Sequence, residues 1–142
     1  MTTTKEFSRA MRQLTRVPAQ VARDVSSEIN ALIQEGFDRG TDPYGRPWAP
    51  LRPATLAKGR RPPPLTDTGK GRAGVYAKPM SGAGILLVSE VSYMRKHQMG
   101  APPRLVRRDF LPINVLPKAW NAAIKEAVEA RVAKTLGVKS NG

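Results

Sequence analysis

Apolar positions along this chain fall into three regimes. In the first, Phe7, Ala10, Met11 and Leu14 recur at the spacing of one helix stripe, and Val21, Val25, Ile29, Leu32, Ile33 and Phe37 continue it. Ahead of them, Thr3-Thr4-Lys5-Glu6 can supply a capping box, a hydroxyl and a carboxylate each satisfying an end amide. Pro18 stands between the stripes and predicts two helices, the second opening on that proline. Gly40 can take the left-handed conformation that closes it. In the second regime, residues 41–74, neither helical nor strand period holds. Asp42-Pro43-Tyr44-Gly45 is a turn sequence, and Pro47, Pro50, Pro53 and Pro62-Pro63-Pro64 withhold the amides that a central strand needs. A long loop is expected, its first part folded back through Trp48 and Leu51 and its Lys58–Pro64 part mobile.

The third regime begins with strand signals. Arg72–Pro79 alternates through Val75 and Ala77, Ile85–Val91 is rich in β-formers, and Met80–Gly84 suits a hairpin link. A third strand is expected over Asp109–Val115, with Pro112 marking an edge or a bulge. Trp120, Ala123, Ile124, Ala127, Val128, Arg131, Val132 and Leu136 then line a C-terminal helix between Pro117 and Gly137. The order predicts an α+β fold: a small antiparallel sheet packed by N-terminal and C-terminal helices, with a long Pro/Arg-rich loop. At 142 residues this is a single domain, divided into helices (1–40), extended loop (41–74), antiparallel strands (75–115) and C-terminal helix (117–136).

Charge sharpens this picture. Residues 1–40 hold six Lys/Arg against five Asp/Glu, residues 41–118 hold fourteen against four, and residues 119–142 hold four against two. The middle therefore carries +10 of the net +13, as expected of a surface that faces a polyanion or an acidic partner. No cysteine is present, so neither disulfides nor thiolate metal sites staple the fold. No apolar run reaches the roughly 18 residues of a membrane span, and the N-terminus lacks a signal-peptide core. These features predict a soluble protein made inside the cell.

Catalysis needs convergent titratable groups, and they are scarce. His97 is the one histidine, so neither a Cys-His pair nor a histidine-rich metal site can be built. Asp24, Glu28, Glu35 and Asp38 take the spacing of a solvated helix face, as do Glu126 and Glu129. A carboxylate pair is not excluded by counting, but no motif surrounds one. Gly69-Lys70-Gly71 and Gly82-Ala83-Gly84 match no phosphate-binding loop and read as turns. His97, Tyr93 and Trp48 read as packing residues. The expectation is a non-enzymatic chain with no catalytic residue, no cofactor and no metal. Contact with DNA through its backbone alone needs only cations, and Arg52, Lys58, Arg60, Arg61, Lys70 and Arg72 are the candidates.

Four segments, in order, carry a resemblance: Phe37 with Asp42-Pro43-Tyr44-Gly45-Arg46-Pro47-Trp48-Ala49-Pro50-Leu51; Leu65-Thr66-Asp67-Thr68-Gly69; Tyr93-Met94-Arg95-Lys96-His97-Gln98-Met99-Gly100; and Pro103-Arg104 with Arg108-Asp109-Phe110-Leu111-Pro112. Together they resemble the phage virion morphogenesis family, the tail-completion and neck proteins of tailed bacteriophages and prophages, Mu-like phages included. The resemblance spans about residues 30–115. It departs from the family where Lys70-Gly71-Arg72 follows the Thr-Gly turn and where residues 103–111 are stretched. What it implies is a structural virion protein, one subunit of a ring (commonly sixfold) joining the tail to the head connector. Implied partners are further copies of the chain, a head-closure or connector protein, and the tail terminator or tail tube protein, with genomic DNA in the lumen. The implied location is the virion tail or neck, assembled in the host bacterial cytoplasm. Trp48, Leu51, Arg52 and Leu65 are the expected ring contacts, and Lys58, Arg60, Arg61, Lys70 and Arg72 the candidate DNA-channel contacts. A tail terminator capping the tube, or a non-specific DNA-binding protein, are the alternatives.

Overall fold

The stripe between residues 22 and 37 sets the frame. Ala22, Val25, Ile29, Ile33 and Phe37 are all buried on one face of helix α1, Thr4–Arg39. The computed structural model describes residues 4–60, 62–66, 68–81, 84–101, 103 and 105–137, without the side chains of residues 7, 10, 11, 13 and 14. The Thr3 part of the expected capping box and the Phe7–Leu14 stripe therefore lie outside the described residues. The chain runs through Pro18 as one helix, not the two that the proline predicts. A proline inside a helix costs about 3 kcal/mol through its missing amide. Pro18 is exposed, so no packed layer is disturbed, and the flanking Arg, Gln and Ala residues are strong helix formers. At the other end Gly40 (φ 67°) turns left-handed, with Thr41 N–H donating to Gly36 O at 3.0 Å and Gly40 N–H to Phe37 O at 3.3 Å. These crossed bonds satisfy the last carbonyls of the helix.

Strands β1 (Val75–Pro79) and β2 (Ile85–Ser89) pair antiparallel, Val75 opposite Ser89 and Pro79 opposite Ile85. Met80 N–H donates to Gly84 O at 2.8 Å and closes the hairpin. Among the described residues the sheet has only these two strands. The expected third strand, 109–115, runs instead as an irregular strap. Two causes act together. The free edge of β1 is taken by Asn30 of α1, whose amide donates to Ala77 O (3.0 Å) while its carbonyl accepts from Ala77 N–H (2.6 Å). The strap in turn has other partners. Gln98 accepts from Phe110 N–H (2.8 Å) and Leu111 N–H (3.1 Å) and donates to Leu111 O (2.8 Å). Tyr44 donates to Val115 O at 2.6 Å and accepts from Ile113 N–H at 3.3 Å. Side chains thus satisfy backbone groups that would otherwise seek a neighbouring strand.

The segment expected to be irregular throughout, 41–74, contains two short helices, α2 (Pro53–Ala57) and α3 (Lys70–Ala73). Pro53 opens α2, where its missing amide costs nothing. Helix α3 takes the first residues of the expected strand, which starts at Val75 and not Arg72. Helix α4, Ser92–Met99, was not expected at all; only Met94 of its residues is buried, too little to print a period. The C-terminal helix α5, Lys118–Leu136, lies where its pattern predicts. Trp120 packs near Phe37 while Arg131 holds Asp24 at 2.7 and 3.0 Å, which sets α5 antiparallel to α1. Helix α1 packs against both β1 and α5. The fold is α+β.

Candidate interaction surface

The surface is built from the turn after α1 outward. Asp42 Oδ1 accepts from Tyr44 N–H and Arg46 N–H, both at 2.9 Å, and its Oδ2 holds Arg46 Nε at 3.0 Å. Gly45 N–H donates back to Asp42 O, so the Asp-Pro-Tyr-Gly sequence forms the turn it predicts. That turn delivers Trp48 inward. Trp48 is buried, its ring edge-on to Phe37 at 5.7 Å, and its indole N–H donates to Asp109 O at 2.6 Å. Phe110 stacks on Phe37 at 5.8 Å.

From Trp48 the chain passes over Arg108, which is 7% exposed. Arg108 Nε donates to Ala49 O (2.8 Å), Nη2 to Pro50 O (3.0 Å) and its backbone N–H to His97 O (2.8 Å). One guanidinium therefore ties the loop to the segment that leads into the strap, and the Arg108 backbone ties that segment to α4. Burial, and then Arg52, draw its pKa below the ordinary arginine value. Further along, Gly71 of α3 lies against Met94 of α4: a Cβ there would stand 2.5 Å from Met94 Sδ. Gly71 is thus a close-packing glycine.

Between α2, the 64–71 segment, α4 and residues 105–108 lies a groove of about 660 Å³. Its apolar wall includes Leu51, Leu65, Met94, Leu105 and Val106; its cations are Arg52, Arg60, Lys70 and Arg108. No carboxylate lines it among the described residues. His97 lines it too, with Nδ1 buried and without a hydrogen-bond partner. Burial, reinforced by Arg108, lowers the His97 pKa from 6.5, which favours the neutral ring. Leu65 holds a positive φ of 69°, a conformation that L side chains rarely adopt, at the edge of this groove.

The expected site residues separate into groups. Leu51, Arg52, Leu65, Arg60 and Lys70 come together on the groove. Arg52 Nη2 also donates to Pro103 O at 3.1 Å. Trp48 sits beneath, inside the core, so it holds the loop and does not itself reach a neighbour. Lys58 is exposed at the end of α2, and Arg61 lies outside the described residues. Arg72 turns inward: Nε donates to Gln34 Oε1 (2.9 Å), Nη2 to Gln34 O (3.1 Å) and Asp38 (2.8 Å), with Phe37 5.5 Å beneath its guanidinium. Sequence reasoning missed Arg108 and the part that α4 plays. The trace of α4 in the sequence is the Tyr93–Gly100 motif, which carries a resemblance and no helical period. Among the described residues no group of acids and histidine could hold a metal, and no helix is long and apolar enough to cross a membrane. Comparison with protein-family models, curated proteins and solved structures gives no match for this chain.

Proposed function

We propose that this chain is a structural virion protein of a tailed phage, a tail-completion or neck subunit that joins the tail to the head connector. The observation that carries the reading is where the motif residues go. Asp42–Leu51, Leu65–Gly69, Tyr93–Gly100 and Arg108–Leu111 carry the resemblance from four stretches of sequence, and they meet at one junction. There Trp48, Gln98 and Arg108 are used for hydrogen bonds between segments, and Met94 for packing. Residues spent in this way build a shape and not a reaction centre, which supports a non-enzymatic role in assembly. The basic groove and the exposed Lys58 then face outward as contacts, to the connector or the tail.

Immunogold labelling of particles from the strain that encodes the chain tests this. Label is expected at the head–tail junction. Label at the distal tail tip, or particles that lack the chain, would overturn the reading. Label at the junction but on purified, headless tails alone would favour the terminator position.

A further inference from the structure

The groove beside α4 combines two features that a solvated basic surface does not need together. Its wall is apolar, from Leu51, Leu65, Met94 and Val106, and its rim is cationic, from Arg52 and Lys70, with the Arg108 guanidinium buried alongside. We propose that this groove is a docking site for an acidic peptide segment of another protein, seated by apolar side chains. The inference stands on the groove and does not require the neck reading.

Charge complementarity selects the occupant. A second copy of the chain, at +13, would be repelled from a rim that holds cations and, among the described residues, no carboxylate. The cavity, about 660 Å³, is of the size that takes a small ligand or a few residues of peptide. A duplex is far wider, and phosphates gain nothing from an apolar wall. An acidic segment with interspersed apolar residues uses both features, its carboxylates on Arg52 and Lys70 and its side chains on the wall.

Fluorescence anisotropy with the full chain tests the proposal, using a short fluorescein-labelled peptide that alternates Glu with Leu. Saturable binding is expected. Counterparts with Lys for Glu, or with Ser for Leu, should each bind at least about tenfold more weakly. Lys70→Glu should weaken the Glu/Leu peptide about tenfold while circular dichroism stays unchanged. If that variant does not fold, Lys70→Ala replaces it with a smaller loss expected in the same direction. Val106→Asp tests the wall. Equal binding of the Glu/Ser peptide, tighter binding of short duplex DNA, or unchanged binding by the Lys70 and Val106 variants would overturn the proposal. A chain that binds the peptide but is missing from particles would keep the groove and refute the neck reading; the opposite pair of results would do the reverse.

Discussion

Trp48 meets two requirements with one side chain: its ring closes the core beside Phe37, and its indole N–H satisfies the carbonyl of Asp109. Replacing it by Phe keeps most of the apolar contact and strands that carbonyl. The expected loss is about 1–3 kcal/mol, against about 3–5 for Trp48→Ala, read from urea denaturation. No loss in Trp48→Phe would show that the hydrogen bond contributes nothing, and equal losses for the two variants would show that the ring's packing contributes nothing. His97 is the residue whose state depends on pH. Its folded pKa lies below 6.5 because burial, and then Arg108, disfavour the charged ring. The unfolded chain therefore takes up the proton first. Stability is full above about pH 6.5 and falls as pH drops from there toward the folded value. His97→Gln should lose this part of the decline, so urea midpoints of the two proteins measured across that window should converge or cross as pH falls. Parallel curves would rule it out. Trp48 was legible from sequence as an anchor because a tryptophan amid prolines has few other uses. Arg108 was not, since a buried arginine reads like any other cation until the carbonyls it serves are placed.

At the scale of elements, the two-stranded sheet owes its limit to a helix. Asn30 presents an amide to the outer edge of β1 as a third strand would, and covers it. Asn30→Ala should leave the Ala77 N–H and C=O without those partners and cost about 1–3 kcal/mol in thermal or chemical denaturation. It should also speed amide exchange at Ala77 while the far half of α1 is unaffected; an unchanged Ala77 exchange rate would sink the account. The pattern of α1 was readable because it buries one long stripe, that of α5 because apolar residues recur at helical spacing between Pro117 and Gly137, and that of the hairpin because Met80–Gly84 separates two β-rich runs. The strap reads as a strand in sequence because apolar, β-favouring residues also suit an extended segment held by side chains. Pro18 reads as a boundary from sequence because its local cost is visible there and the exposure that confines that cost is not.

For the whole molecule, the uneven charge is the property that reaches beyond the chain. Arg72 is held on α1 by Asp38 and Gln34, which leaves Lys58 and Lys70 among the outward-facing cations of the loop region. Under the neck reading, the double variant Lys58→Glu, Lys70→Glu should fold with an unchanged melting temperature, since surface charges contribute little. It should nevertheless fail to enter particles, lowering the yield of complete virions at least about tenfold if contact is electrostatic. Normal yield would show that the basic surface is not a contact in assembly.

The long N-terminal stripe, the β-hairpin, the C-terminal helix, the +10 concentrated in the middle and the anchoring of the loop at Trp48 were present in the sequence, since each depends on local spacing or simple counting. Tertiary structure decided which cations face outward, that a helix and not a strand follows β2, and that Arg52, Lys70 and Arg108 share a groove with an apolar wall. Those outcomes depend on contacts between residues far apart in the chain. Gln98 reaches the strap, Asn30 reaches β1 and Arg108 reaches the loop, and spacing along the sequence carries no record of such pairings.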